Sequence, residues 1–212
     1  MDGVVAPLKD IASLAKKYDA LIMVDDCHAT GFIGNEGRGS AEYHGVLDEI
    51  DIITSTFGKA LGGASGGFIS SSSEIVETLR QKSRPYLFSN SLAPPLVAAC
   101  IKVFEIITKD YSYKKKLEEN TAYFRNGIKS IGLDIKGKDH PIVPIMIYDA
   151  KKAVEMSEKL LEKEIYVIAF SFPVVPKDEA RIRVQISASH SKKQIDNAIN
   201  AFGEVAKELK II

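Results

Sequence analysis

The feature that most constrains the fold is the alternation of helix-like segments with very short apolar runs that end in polar or glycine-rich loops. Residues 20–24 form such a run, Ala-Leu-Ile-Met-Val, which is too short for a helix and lacks the alternation of a half-exposed strand. We therefore predict a strand covered on both faces that ends at Asp25 and Asp26, before a loop rich in glycine. Such a succession is typical of an α/β sheet layered with helices.

The same pattern continues to Pro94 and Pro95, after which longer helices dominate. In the first part we predict a helix at residues 7–19, strands at 50–54 and 68–70, and a helix to residue 82 capped by Ser71 and Glu74. In the second part we predict helices at 96–108, 111–131 and 150–163, strands at 143–147, 166–169 and 181–186, and a final helix to 209 capped by Ser191 and Gln194. The sequence thus predicts an α/β protein, with a partial large-domain sheet in residues 1–95 and a small α+β domain in residues 96–212.

Composition argues against several classes of protein. The 212 residues include 28 basic and 28 acidic side chains, so there is no excess of positive charge to meet nucleic acid or a membrane surface. No apolar run approaches the ~18 residues that a membrane span requires. Two cysteines, Cys27 and Cys100, are too few for a disulfide framework. We interpret both as small buried apolar groups, and a cytoplasmic location fits them.

Asp25 and His28 are the first candidate site residues. Open α/β sheets bind ligands at the carboxyl ends of their strands, and Asp25 stands at such an end. A carboxylate there could hold a cation or a protonated ring nitrogen, and the imidazole of His28 could face the same pocket. A metal site is not predicted, because no further group with ligand spacing accompanies Asp25, Cys27 and His28.

Lys59 is the second candidate, because it follows an apolar strand and lies among glycines. A lysine in a cramped, desolvated site has a lowered pKa and can form a Schiff base with an aldehyde. We interpret the glycine pairs at 62–63 and 66–67 as positions where bulky side chains would block a ligand. Thr56 supplies a hydroxyl suited to a phosphate, although the segment is not a P-loop, since Ala60 follows the lysine.

These motifs together resemble the α-oxoamine synthases, pyridoxal-phosphate enzymes of the aspartate-aminotransferase fold. The resemblance covers essentially the whole chain, and the D-x-x-H and T-x-x-K segments are specific to the family. The matching segments are residues 24–31, 37–39 and 54–63, and, for one subgroup, 83–92, 172–177 and 180–183.

The resemblance implies a role for each candidate residue. Lys59 would bind the aldehyde of pyridoxal 5'-phosphate and transfer protons, Asp25 would pair with the protonated pyridine nitrogen, and His28 would hydrogen-bond the phenolic oxygen. Thr56 would bind the cofactor phosphate, and Ser89 would reach that phosphate from the neighbouring subunit of a homodimer. Arg183 would bind the substrate carboxylate through its planar guanidinium.

The subgroup that matches best joins glycine to acetyl-CoA, which gives 2-amino-3-ketobutyrate and CoA, or cleaves that product in threonine degradation. A second branch of the family, which joins alanine to pimeloyl-CoA in biotin synthesis, shares every site residue named here. Family members are about twice as long as this chain. The resemblance therefore implies the C-terminal part of a longer enzyme, and this chain alone would bind the cofactor poorly and be inactive. An inactive truncated remnant is a third possibility.

Overall fold

The computed structural model of the protein describes residues 1–63 and 65–212. They form two compact units. The first unit is Ala6–Tyr111, and the second unit combines Met1–Val5 with Ser112–Ile212. The predicted domain boundary between residues 95 and 96 falls within a helix, Pro94–Ile107, of the first unit. That boundary stays a prediction about domain organisation.

The first unit contains a three-stranded sheet of order β1-β2-β3. β1 is parallel to β2, with Asp25 opposite Thr54, and β3 is antiparallel to β2. The carboxyl ends of β1 and β2 therefore lie side by side at one end of the sheet. The elements are α1 (Leu8–Tyr18), β1 (Met23–Asp25), α2 (Ser40–His44), β2 (Ile52–Thr56), β3 (Gly67–Ser71), α3 (Ser73–Lys82), α4 (Arg84–Phe88) and α5 (Pro94–Ile107).

The first predicted strand forms only in part, since β1 spans Met23–Asp25 instead of residues 20–24, and it is not covered on both faces. Leu21 and Met23 are 74% and 64% exposed, so this part of the prediction is wrong for the chain described. Ile22 faces the other way and packs in a small cluster with Leu8 of α1 and Val46. The physical reason is that, within the described residues, the face that carries Leu21 and Met23 is open to solvent, so this segment is covered on one face alone.

The cap of α3 also differs from the prediction by one residue. Ser72 is the N-cap, and its hydroxyl accepts a hydrogen bond from the Ile75 N–H at 3.5 Å. Ser71 instead ends β3, and its hydroxyl donates to the carbonyl of Asp51 at 2.6 Å. A run of four serines offers several cap positions, and the end of the strand selects among them.

The second unit is a small α+β domain, with an antiparallel sheet of order β4-β6-β5. Ile145 and Ile182 of this sheet form one buried core with Phe124, Leu160 and Phe202 of its helices. The predicted capping box of the last helix is confirmed. The elements are α6 (Ser112–Ser130), β4 (Ile142–Tyr148), α7 (Ala150–Glu162), β5 (Ile168–Phe170), β6 (Ala180–Gln185) and α8 (Lys192–Glu208).

Three general features of the structure bear on the class of protein. Within the described chain, no helix combines the length and the apolar character needed to cross a membrane. Among the same residues, no three His, Cys, Asp or Glu side chains are grouped so that they could hold a metal ion. Cys27 and Cys100 are both free thiols, the first half-buried and the second buried.

Candidate active site

The candidate site lies at the carboxyl ends of β1 and β2. Asp25 is the last residue of β1 and Thr56 is the last residue of β2, and Lys59 follows Thr56 by three positions. His28 lies in the turn that leaves β1, where the N–H groups of Ala29 and Thr30 donate to the carbonyl of Asp26, each at 2.9 Å. Parallel pairing of the two strands thus brings together residues that are about thirty positions apart in the sequence.

Asp25 is the electrostatic centre of this group. Hydrogen bonds from the thiol and the backbone N–H of Cys27, the latter at 3.0 Å, are the main causes that lower the pKa of the Asp25 carboxyl. The positive charges of Lys59 and His28 lower that pKa further, whereas burial opposes the shift. Asp25 therefore remains ionised at neutral pH, within electrostatic range of both Lys59 and His28.

Lys59 differs from the expectation of a desolvated amine. Its side chain is exposed in the described chain, because the turn that carries it lies beyond the end of β2. The cramped environment predicted from the neighbouring glycines is therefore absent among the described residues. What the fold provides for Lys59 is its position near the Asp25 carboxylate.

Cys27 is a neighbour of the site whose part the sequence interpretation missed. It is half-buried rather than a buried apolar group, and it donates to Asp25. Burial, and then the hydrogen bond and charge of Asp25, raise the pKa of the Cys27 thiol. The available signal was the spacing, because an aspartate often accepts a hydrogen bond from the N–H two residues further on.

We expect Cys27 to react slowly with iodoacetamide at mildly alkaline pH, because its raised pKa leaves less thiolate. Asp25→Asn removes the adjacent negative charge, so it should lower the pKa of Cys27 and speed its alkylation. Asp48→Asn, at an exposed position of the same unit, is the matched control. Mass spectrometry of the Cys27 peptide measures the rates, and equal rates in the two variants would contradict this expectation.

Thr56 lies at the site, with both functions of its hydroxyl in use. The hydroxyl donates to the carbonyl of Gly66 at 3.1 Å and accepts from the N–H of Gly58 at 3.1 Å. A phosphate oxygen can only accept a hydrogen bond, so the Thr56 hydroxyl must turn away from Gly66 to donate to one. In this structure Thr56 closes the turn that leads to Lys59.

The glycines beyond Lys59 serve the packing of the chain itself, which corrects their interpretation as space for a ligand. A Cβ atom at Gly63 would lie 2.5 Å from the sulfur of Cys100, and one at Gly66 would lie 2.4 Å from Leu92. At Gly67 it would lie 2.5 Å from the carbonyl oxygen of Ser55. These three glycines therefore permit close approach of neighbouring segments, whereas Gly62 has open space beside it.

Ser89 and Arg183 are carried by other elements of the chain. Ser89 follows α4 in the first unit and is exposed. Arg183 belongs to β6 of the second unit, and its guanidinium lies 4.6 Å from the ring centre of Phe170. It lines a cavity of about 580 Å³ together with Phe170, Gln185 and His190.

The two arginines of β6 have different environments, which the sequence alone left open. Arg181 is buried and pairs with Asp2 at 2.5 Å and with Glu179 at 2.7 Å. Arg183 forms no ion pair in the part of the chain described, and donates only a long hydrogen bond of 3.5 Å to the carbonyl of Met1. Its guanidinium can therefore still bind a carboxylate, whereas that of Arg181 is already paired.

The side chains at the strand ends fit pyridoxal phosphate by their chemistry. An ionised carboxylate suits a protonated pyridine nitrogen, a lysine amine suits an aldehyde, and an imidazole suits a phenolic oxygen. Asp25, Lys59 and His28 provide these three groups at one end of the sheet. Arg183, in the other unit, could bind a substrate carboxylate.

Comparison with known sequences gives two close relatives. The chain is 52% identical over 212 residues to 2-amino-3-ketobutyrate coenzyme A ligase of Escherichia coli strain K12, covering 100% of this chain and 53% of that protein. It is 46% identical over 209 residues to 8-amino-7-oxononanoate synthase of Petrotoga mobilis, covering 99% of this chain and 53% of that protein. The chain thus spans about half the length of the curated relatives that it matches.

Solved structures and a family profile give the fold and the family. A high-resolution structure of SPT with PLP matches this chain with a TM-score of 0.95 and 32% identity, and the match covers 100% of this chain and 54% of the SPT chain. This match confirms the predicted fold class. The sequence profile described as aminotransferase class I and II matches residues 1–202, nearly the whole sequence. The sequence and the fold therefore agree that the chain belongs to the aminotransferase class I and II family.

Proposed function

We propose that this chain is part of a pyridoxal-phosphate-dependent acyltransferase that condenses glycine with acetyl-CoA to 2-amino-3-ketobutyrate and CoA. In threonine degradation the same site would run the reverse cleavage. The observation that carries the proposal is the ionised Asp25 within electrostatic range of Lys59 and His28 at the carboxyl ends of two parallel strands. The 52% identity to the E. coli ligase supports the choice of substrates.

Three side chains would hold the cofactor ring. Asp25 would keep a proton on the pyridine nitrogen, because its own pKa is lowered and it stays negative. His28 would donate to the phenolic oxygen, and the amine of Lys59 would hold the aldehyde. Thr56, and Ser89 of a second copy of the chain, would bind the phosphate. When bound, the cofactor supplies a ring that delocalises the negative charge developed on the α-carbon of glycine.

The reaction then needs one carboxylate contact and one proton transfer from this chain. Arg183, which has no ion pair in the described residues, would bind the carboxylate of glycine. Lys59, acting as a free amine, would take the proton from the α-carbon. That carbon would form a bond to the acetyl carbonyl carbon, the C–S bond would break with its electron pair going to sulfur, and CoA would leave as the thiol after taking the proton from Lys59. His28 could donate to the carbonyl oxygen as charge develops on it.

The quaternary structure and the location are part of the same proposal. We infer a homodimer, because the role given to Ser89 needs a neighbouring subunit, and a cytoplasmic enzyme with no nucleic-acid or membrane partner. Residues 1–95 would belong to the large cofactor-binding domain and residues 96–212 to the small domain. These inferences rest on the resemblance to the family, and the balanced charge of the chain is consistent with them.

The main alternative is the synthase that joins alanine to pimeloyl-CoA. The 46% identity to the Petrotoga protein favours it, and the site residues would have the same roles. The two functions differ in the acyl pocket and in the room beside the α-carbon. A third outcome is a chain that turns over neither pair, as expected for a truncated remnant.

An assay of CoA release tests these alternatives with added pyridoxal phosphate, in the longer enzyme of which this chain would be part and in the purified 212-residue chain. We expect the longer enzyme to release the CoA thiol from acetyl-CoA with glycine, and we expect no release by its Lys59→Ala variant or by the 212-residue chain alone. Release only from pimeloyl-CoA with alanine would overturn the proposed substrates in favour of the alternative. Release from neither pair by the longer enzyme would overturn the proposed activity.

A further inference from the structure

A buried carboxylate follows Asp25 in the sequence and has no part in the roles proposed so far. Asp26 is 4% exposed, and its side chain contacts the far end of the glycine-rich loop. There it accepts hydrogen bonds from the hydroxyl of Ser40 at 2.5 Å and from the N–H of Ser40 at 2.9 Å. Ser40 is buried as well. The side chain of Asp26 thus holds the end of the loop, where α2 begins, by hydrogen bonds.

The backbone of Asp26 forms hydrogen bonds at the beginning of the same loop. Its carbonyl accepts hydrogen bonds from the N–H groups of Ala29 and Thr30 at 2.9 Å and from the Thr30 hydroxyl at 3.0 Å. These bonds close the turn of residues 26–30, which contains His28. The N–H of Asp26 donates to the carbonyl of Thr54 at 2.9 Å, so the turn is also held to β2.

A hydroxyl pair joins this turn to β2 a second time. Ser55, which is 6% exposed, donates to the Thr30 hydroxyl at 2.8 Å. Ser55 immediately precedes Thr56 and lies four residues before Lys59. A buried polar chain therefore runs from Ser40 through Asp26 and Thr30 to Ser55, and it connects the turn that carries His28 with the strand that leads to Lys59.

The loop is shaped closely around the Asp26 carboxylate. Gly39 has a φ of +101°, and a Cβ atom there would lie 1.7 Å from Oδ2 of Asp26. Any side chain at position 39 would therefore displace either the carboxylate or Ser40. This close fit fixes the position of the carboxylate as well as its hydrogen bonds.

We propose that Asp26 is a positioning residue, which acts through Ser40 and Thr30 to fix the turn that presents His28 beside Asp25. This inference rests on the proposed function, because the arrangement of His28 and Asp25 matters for catalysis only if both bind the cofactor. The arrangement itself can be measured without the cofactor. Asp26 does not touch the cofactor or the substrate in this proposal. Its effect is to hold the imidazole of His28 and the carboxylate of Asp25 in one arrangement.

The test compares hydrogen exchange and the His28 imidazole signal in the full chain without pyridoxal phosphate. Asp26→Asn keeps the backbone carbonyl that the Ala29 and Thr30 amides contact, but it weakens the side-chain bonds from Ser40. Because the loosened loop end would let the turn open more often, we expect these two amides to exchange about tenfold faster, which corresponds to about 1.4 kcal/mol. We also expect a shifted ¹³Cε1 signal of His28. Val46→Ala, in the apolar cluster of the same unit, is the control for general loss of stability.

A second pair of variants keeps the test decisive if Asp26→Asn does not fold. Thr30→Val removes the hydroxyl that Ser55 contacts, and Thr30→Ser keeps it. We expect Thr30→Val to reproduce the faster exchange and the His28 shift, and Thr30→Ser to behave as the wild type. The proposal is overturned if Asp26→Asn and Thr30→Val match Val46→Ala in both readouts. Because no cofactor is present, failed cofactor binding would count against the proposed function alone.

Discussion

Lys59→Ala is expected to abolish covalent capture of pyridoxal phosphate and with it all CoA release, while the fold stays intact. The Lys59 side chain is exposed, and it makes no hydrogen bond or ion pair within residues 1–63 and 65–212. Its removal should therefore change the free energy of unfolding by less than about 0.5 kcal/mol. The amine, however, has no substitute at the strand ends, because the other groups near Asp25 are an imidazole and a thiol.

The measurement is reduction with borohydride followed by peptide mass spectrometry, with the visible absorbance of the imine as a second readout. We expect the label on the Lys59 peptide of the wild type and no label at position 59 in the variant. Lys82→Ala, in the last turn of α3 in the same unit, is the matched control and should keep both signals. Loss of both signals in the control, or a wild-type visible band in Lys59→Ala, would contradict the assignment of Lys59.

Local patterns in the sequence predicted most of the secondary structure. The apolar run at residues 20–24 and the cap of Ser191 and Gln194 depend on neighbours within a few positions, and both lead to the expected elements. The exposure of Met23 could not be predicted in this way, because it depends on which segments pack on each face of β1. The same limit applies to the glycines near Lys59, whose close contacts include Leu92 and Cys100, far along the chain.

In the candidate site, too, features set by nearby residues could be predicted from the sequence, whereas contacts between distant residues could not. The spacing of Asp25 and His28, and the position of Lys59 after a strand, indicated the group that the parallel pairing of β1 and β2 brings together. No local pattern indicated that Asp26 accepts from Ser40, fourteen residues away. Such contacts form through the fold of a loop, so only coordinates reveal them.

The two arginines of β6 provide the second large expected effect. Arg181→Met should lower the free energy of unfolding by about 2 kcal/mol, because it removes a buried guanidinium and its charged hydrogen bonds to Asp2 and Glu179. Arg183→Met should cost less than about 1 kcal/mol, since it loses mainly the contact with the Phe170 ring. Thermal or urea unfolding of both variants measures this difference, and equal losses would contradict it.

The pH dependence of unfolding shows whether the stability that Arg181 contributes comes from its ion pair with Glu179 or from packing. The hydrogen bond with Lys136, and then the contact with Arg181, lower the pKa of the Glu179 carboxyl below its ordinary 4.5. A lowered folded-state pKa adds stability that is present above pH 4.5 and is lost as the pH falls through the folded-state value. The stability gap between wild type and Arg181→Met should therefore narrow in acid, whereas a gap caused by packing would stay constant.

Catalytic activity should distinguish the Arg181 and Arg183 variants in the opposite order, with the larger loss in the Arg183 variant. If Arg183 binds the substrate carboxylate, Arg183→Met should lower kcat/KM for glycine by about tenfold to a hundredfold, the value of a charged hydrogen bond. Arg183→Lys keeps the charge without the planar fork, so it should recover only part of that loss. Arg181→Met, assayed well below its own unfolding temperature, should keep kcat/KM near the wild-type value. The proposed role of Arg183 is contradicted if Arg181→Met has the larger catalytic loss under those conditions.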